Sequence, residues 1–550
     1  MVDLPNGRER RIWHSFSILG LCLGTLAFAA SLTPSLLPRA FFVQGILSGV
    51  SLALGYGLGV FLVWLWRYLE LPEPRPSPRY YGQWAMALLC AAVAVFFLWK
   101  AAGWQNSIRE LMELEPVDTA HPFKVGGIAF VLFLLLVGIG RGPKRIFSFV
   151  SGWLKRFVPR RIANVLGLAV VALLAASLVD RVLLRYALRV ADSAYAELDA
   201  LFEDGIERPG EALKTGGPGS LIGWDTLGRT GRSFIVEGPR RELIAAFTGR
   251  PALEPMRVYV GLRSAEDSDA RARLALAELQ RIGAFERSVM VVVAPTGTGW
   301  IDPEGADTLE YLHDGDTVMV AQQYSYLTSW LSLLIEPSYG AEAAHALFRE
   351  VYAHWKTLPE ETRPKLYLYG LSLGALSSEQ SSELFDVLAD PFQGALWVGP
   401  PFNSRIWRSV TSDRNAGSPA WLPRFRDGSV VRFTAQRNAL DIPGAAWGPL
   451  RIVYLQYASD PVVFFDPFAW YRPPAWLVGE RGPDVSPELR WYPLVTFLQL
   501  ALDMALATTA PLGYGHLYAP EHYIDAWMAV TDPQGWPPAE IERLKAALAK

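Results

Sequence analysis

The sequence predicts a multi-pass α-helical membrane domain followed by an α/β domain with a mostly parallel sheet and helices on both faces. Three observations predict it: long apolar runs crowd the first 195 residues, the charge balance changes sign near the same point, and short β-branched runs alternate with amphipathic helical patterns beyond residue 257. Of the 550 residues, 51% are hydrophobic and 19% charged, which is apolar for a purely soluble chain. The net charge of -3 conceals a split, since residues 1–195 hold 20 Lys and Arg against 10 Asp and Glu, whereas the remainder holds 31 against 44. A basic, apolar half ahead of an acidic one fits membrane spans with charged cytoplasmic loops, then a water-soluble domain. Nothing in this pattern resembles a nucleic-acid-binding surface. The two cysteines, Cys22 and Cys90, lie inside apolar runs, so neither a disulfide framework nor a Cys-based zinc site is available. No metal and no cofactor is expected, and oligomeric state is not legible.

Five stretches in the 1–195 domain are long and apolar enough to cross a bilayer: about 14–36, 41–66, 83–101, 123–140 and 162–179. The last runs without a break into Asp180, Arg181, Arg185 and Arg189, so four spans is the competing count. Basic residues decide orientation. The N-terminus and the second and fourth connections together carry 13 Lys and Arg, while the first and third hold only Arg39, Lys100, Arg109 and Lys124. Retention of positive charge on the cytoplasmic side then gives a cytoplasmic N-terminus. Five spans deliver the later half to the outer face of a bacterial inner membrane; four would keep it inside. The first span also fits a signal peptide ending at Ala27-Phe28-Ala29, which would not change that side.

Residues 196–256 are rich in Gly and Pro and read as a linker and packing segment. They contain the string Trp224 to Arg232, which reads as a turn with Asp225 paired to Arg229 or Arg232, or as a substrate-facing wall.

The domain 257–550 opens with a strand at 257–262, a helix at 265–282, continuous buried-strand runs at 289–294 and 317–322, and a helix at 341–357. A strand at 365–369 then leads into Gly370-Leu371-Ser372-Leu373-Gly374 and a helix at about 374–388, with further strands at 395–398 and 452–457. Gly-x-Ser-x-Gly between a strand and a helix is the nucleophile elbow of the alpha/beta-hydrolase fold. The sharp turn lifts the Ser372 hydroxyl above the sheet, and glycines two residues either side let neighbouring backbone pass. The helix N-terminus and the Leu373 N–H can then stabilise a developing oxyanion.

A serine at its ordinary pKa needs a base, usually a histidine oriented by a carboxylate. In this fold the partners follow as acid, then histidine, and only His516 and His522 lie beyond the serine. His516 sits in the glycine-rich loop Gly513-Tyr514-Gly515-His516 and is the expected base; His522 reads as a packing residue at a helix start. Asp460 directly follows a strand and precedes Pro461, making it the expected acid ahead of Asp386, Asp441 and Asp466. The loop 295–300 follows the strand 289–294, and its Thr296 and Gly297 are candidate oxyanion donors, with a plain glycine turn as the competing reading. It lacks the Lys and Ser/Thr of a phosphate loop. Aromatic residues crowd the positions after Asp460, from Phe464 to Trp476, which favours a lipid or acyl-ester substrate.

With these residues in place, the chain resembles a bacterial family of alpha/beta-hydrolases that carry an N-terminal multi-pass membrane domain. The resemblance rests on the run Ser31 to Arg39, Trp224 to Arg232, Arg257 to Leu262, the elbow, Gly399-Pro400-Pro401, Ser459 to Val463 and Gly515-His516. It implies a serine hydrolase and supplies no substrate. The expectation is an ester-cleaving, esterase- or lipase-like enzyme using Ser372, His516 and Asp460. The competing readings are an acyltransferase using the same acyl-enzyme and a catalytically silent membrane scaffold.

Overall fold

A computed structural model describes residues 17–72, 79–154, 156–159, 199–203, 205–327, 338–382 and 387–549, with isolated positions 162, 166 and 332. The chain divides into two compact units. Residues up to 179 join 466–477 and 485–503 in the first; 180–465, 478–484 and 504–550 form the second.

In the first unit, helices α1 (Ile18–Ser31), α2 (Phe41–Tyr68), α3 (Arg79–Arg109) and α4 (Pro122–Gly140) follow the first four apolar runs, and α5 (Gly142–Leu154) lies in the basic connection after them. Among the described residues three helical stretches, Phe41–Tyr68, Trp84–Met112 and Pro122–Gly140, are long and apolar enough to cross a membrane. At 14 residues α1 is shorter than the expected first span. The expected fifth span lies outside the described residues apart from Ile162 and Leu166. Small residues let the helices touch: a Cβ on Gly55 would lie 2.5 Å from the Leu23 carbonyl, and one on Gly59 2.5 Å from Gly20 Cα.

The return of 485–503 to this unit was not foretold by the sequence. Its helix Val495–Ala505 carries Asp503, whose Oδ1 lies 3.4 Å from Arg39 Nε with both side chains fully buried. Asp503 Oδ2 accepts the Leu36 N–H at 2.9 Å, Gln499 donates to the Thr33 carbonyl at 3.1 Å, and the Ser486 and Ser107 hydroxyls meet at 2.8 Å. The Ser31-to-Arg39 run is thus a buried connection between α1 and α2, its Arg39 charge-paired with Asp503 and hydrogen-bonded to Gln44 at 2.9 Å.

The second unit holds a sheet of seven strands in the order β1-β3-β2-β4-β5-β7-β6, every pair parallel. They are β1 (Met256–Val260), β2 (Val289–Ala294), β3 (Thr317–Gln322), β4 (Lys365–Leu371), β5 (Gly394–Val398), β6 (Val431–Thr434) and β7 (Arg451–Leu455). Every residue of β1, β2 and β3 is buried, as strands covered on both faces require. Helix Ser268–Arg281 packs against Tyr339–Trp355, and Pro303–Leu312 against Pro520–Thr531. Only β6, at four residues, has no counterpart in the sequence reading.

The 196–256 segment folds into the second unit as helices Gly228–Val236 and Arg241–Thr248. Arg229 pairs with Glu203, and Arg232 donates to the Leu201 carbonyl, so neither takes the partner expected of it in Asp225. Proximity in sequence misled here, because Asp225 lies in a 3-10 turn whose carbonyl instead accepts from Arg263 at 3.2 Å.

Candidate active site

The C-terminal ends of β4, β5 and β7 bring the expected residues together, as open parallel sheets generally do. Ser372 follows β4 with φ 57 and ψ -127, a conformation rarely open to a residue bearing a Cβ. Its N–H donates to the Val398 carbonyl at 2.8 Å, clamping the turn to β5, and the helix Leu373–Glu379 starts immediately. Both elbow glycines are sterically required. A Cβ on Gly370 would sit 2.4 Å from Gly374 backbone atoms, and one on Gly374 would sit 2.1 Å from the Ala294 carbonyl. The second contact also locates the 295–300 loop, since Ala294 ends β2 and pairs with Gly370.

Asp460 and His516 meet directly. The His516 Nδ1–H donates to Asp460 Oδ2 at 2.7 Å, with Asp460 wholly buried and His516 only 7% exposed. A carboxylate on Nδ1 fixes the tautomer that leaves the Nε2 lone pair available. Nε2 is buried and has no hydrogen-bond partner among the described residues. The imidazole rests on the end of β5: a Cβ on Gly399, φ +51, would lie 2.7 Å from His516 Cε1. Gly399 directly follows Val398, whose carbonyl holds the Ser372 N–H, so the ring edge and the serine flank one strand end. Ser372 and His516 do not hydrogen-bond to each other; such contacts often tighten only with substrate.

Of the expected oxyanion donors, the Leu373 N–H meets no acceptor among the described residues. The Thr296 N–H is committed to the Trp300 carbonyl at 2.9 Å, so this turn leaves Thr296 its hydroxyl but not its amide as a donor. Gly297 occupies the same turn, which Gly299 closes at φ +83 beneath the Tyr259 hydroxyl.

The rivals stand elsewhere. His522 is buried in helix Pro520–Thr531 with Nδ1 on the Tyr457 hydroxyl, and burial lowers its pKa. Asp441 is exposed, Asp466 caps a turn through the Phe468 N–H, and Asp386 lies outside the described residues. The described residues hold no group of His, Cys, Asp and Glu fit for a metal ion.

Three supporting residues escaped the sequence reading. The Tyr518 hydroxyl donates to the same Asp460 Oδ2 at 2.6 Å, and burial beside that carboxylate pushes its phenol pKa well above the usual value, keeping it a neutral donor. Asp484 Oδ2 accepts from the Ser459 hydroxyl at 2.6 Å and from Gln436 at 2.8 Å. The Ser459 hydroxyl in turn accepts the Gly515 N–H at 2.9 Å. One buried carboxylate therefore ties the residue before the acid to the residue before the histidine. Only the neighbouring residues Ser459 and Gly515 were visible as signals, because Asp484 and Gln436 arrive from distant loops.

The rings around these loops form an apolar wall. Phe402 and Phe465 meet edge to face at 4.9 Å, both half-buried, and the Phe402 N–H donates to the Val462 carbonyl at 3.0 Å. Trp397 and Trp407 are buried and serve packing, their indole N–H groups satisfied by Ser378 and Gln456.

No curated protein and no solved structure matches the chain. Residues 256–544 match the model of an alpha/beta-hydrolase family, and residues 32–239 match the model of that family's N-terminus. The first match spans the whole sheet and every residue of the site, and with it the chain belongs to the alpha/beta-hydrolase family.

Proposed function

We propose that this alpha/beta-hydrolase is a membrane-embedded serine esterase acting on a lipid or other acyl ester through Ser372, His516 and Asp460. The observation that carries the reading is the buried 2.7 Å contact from His516 Nδ1 to Asp460, which frees Nε2 beside the strand end that clamps Ser372. Ser372 Oγ attacks the ester carbonyl carbon as its proton passes to His516 Nε2. The Leu373 N–H, with the Thr296 hydroxyl, stabilises the oxyanion. The C–O bond to the alcohol breaks as His516 returns the proton to the leaving oxygen. Water then adds to the acyl-enzyme by the same route, releasing acid and restoring the serine. Asp460 keeps the imidazole oriented throughout, and Tyr518 holds the carboxylate. The wall of Phe402 and Phe465 suits an acyl chain.

The multi-pass reading draws support from the three helices long and apolar enough to span. Residues 485–503 lie against the α1–α2 connection and, through Ser107, near the C-terminal end of α3. Those are the connections poor in basic residues, so the proposal places the returning segments on the outer face of a bacterial inner membrane. A fluorophosphonate probe tests the chemistry: wild type should be labelled and Ser372→Ala should not. Equal labelling of both, or of neither, rejects the esterase.

A further inference from the structure

We infer that residues 467–474, Pro-Phe-Ala-Trp-Tyr-Arg-Pro-Pro, form an interfacial anchor that sits in the headgroup zone of the bilayer; this rests on reading α2 to α4 as membrane spans. Phe468, Trp470 and Tyr471 stand 45%, 49% and 49% exposed within four residues of sequence. The Trp470 and Tyr471 rings meet at 4.6 Å, and the Arg472 guanidinium lies 4.7 Å from the Phe468 centroid and 5.9 Å from that of Tyr471. Apolar rings with polar tips beside a snorkelling arginine match the boundary between acyl chains and phosphates better than water or hydrocarbon.

The patch belongs to the helical unit, not to the sheet unit. Trp491 Nε1 donates to the Ala469 carbonyl at 2.8 Å, and the Leu494 N–H donates to the Trp470 carbonyl at 2.9 Å. Residues 491–494 lead directly into the apolar helix Val495–Ala505, which Asp503 fastens to Leu36 and Arg39. The rings are therefore seated on the same framework as the spans. Prolines at 467, 473 and 474 stiffen the loop that presents them.

Single-cysteine variants of the full chain in lipid nanodiscs, built after Cys22→Ala and Cys90→Ala and labelled with bimane, test this. Tyr471→Cys should be quenched about twofold or more by lipids carrying a quencher near the headgroup relative to lipids carrying it at the chain end. Val95→Cys, exposed on α3, should show the reverse, and Glu360→Cys, exposed on the sheet unit, should respond to neither. If Tyr471→Cys responds to neither lipid while Val95→Cys is quenched, the inference is overturned and the patch faces water or a protein. If Val95→Cys is also unquenched, the spans themselves are misread and the inference falls with them. Should the cysteine-free chain not fold, native tryptophan emission decides: Trp470→Phe should remove a component quenched by the headgroup-proximal lipid, and no difference overturns the anchor.

Discussion

Gly399→Ala tests the placement of His516 without touching any reacting atom. At φ +51 the new Cβ would lie 2.7 Å from His516 Cε1, 3.0 Å from Nδ1 and 3.0 Å from Tyr518 Cε2. Carbon atoms pack at roughly 3.5–4.0 Å, so the imidazole and the phenol must each retreat by about 1 Å or the strand end must yield. Left-handed backbone costs alanine about 1–2 kcal/mol and the overpacking about 1–3 kcal/mol more, which a domain of ordinary stability survives. A displacement of about 1 Å at a catalytic group costs on the order of 100-fold in rate. The assay is kcat/KM on a short chromogenic acyl ester together with the fluorophosphonate labelling rate, with thermal unfolding followed in parallel. Both rates should drop by about two decades in a protein that still unfolds cooperatively. Rates within about threefold of wild type in a folded variant whose crystal structure shows the His516 ring displaced would refute His516 as the base.

Asp460→Asn should leave the fold intact and lower turnover by about four decades, since the amide favours the wrong imidazole tautomer; a loss under about tenfold removes Asp460 from the mechanism. Asp484→Asn should weaken the tie between Ser459 and Gly515 and lower kcat more than it raises KM, a split that a merely structural role would not produce. Glu379 is raised to about 7, chiefly by burial, against an ordinary 4.5. Its contribution is therefore greatest below pH 4.5 and falls as pH rises toward 7, by about 3 kcal/mol in all. Glu379→Gln, which keeps an acceptor for Tyr454 or the Ile406 N–H, should flatten that part of the stability–pH curve measured by chemical denaturation. Asp503→Leu leaves Arg39 buried and unpaired at a cost of about 3–5 kcal/mol, and Arg39→Leu in the same chain should recover much of the lost melting temperature in detergent.

How much of this was legible depended on how far apart in sequence the contacting groups lie. The strands 289–294 and 317–322 read off residue for residue, because a strand buried on both faces is a continuous apolar run with nothing to confuse it. The elbow read off because its steric demands fall within five residues, and Gly370 and Gly374 prove to be separated from a clash by one missing methyl each. The order of Asp460 and His516 was legible from the direction of the chain, and their meeting needed only that β7 end where it does. By contrast β6, whose four residues include Arg432, shows no apolar run; its arginine is buried by donating to three carbonyls from 428 to 445, which no local pattern announces. Asp484 was silent for the same reason, its partners being 25 and 48 residues away.

The helical unit takes in two segments from far beyond residue 195, 466–477 and 485–503. Apolar length marks a span, but it cannot mark a segment that belongs to the helical unit while lying between Asp460 and His516. Helix Val495–Ala505, at 11 residues, is too short to cross a bilayer, and its Asp503 would be costly in lipid without Arg39. The arginine in the Ser31-to-Arg39 run and the aspartate some 460 residues later explain each other only when seen together. The run between the acid and the histidine thus contains two segments, 466–477 and 485–503, that belong to the helical unit, where Asp503 and Arg39 meet.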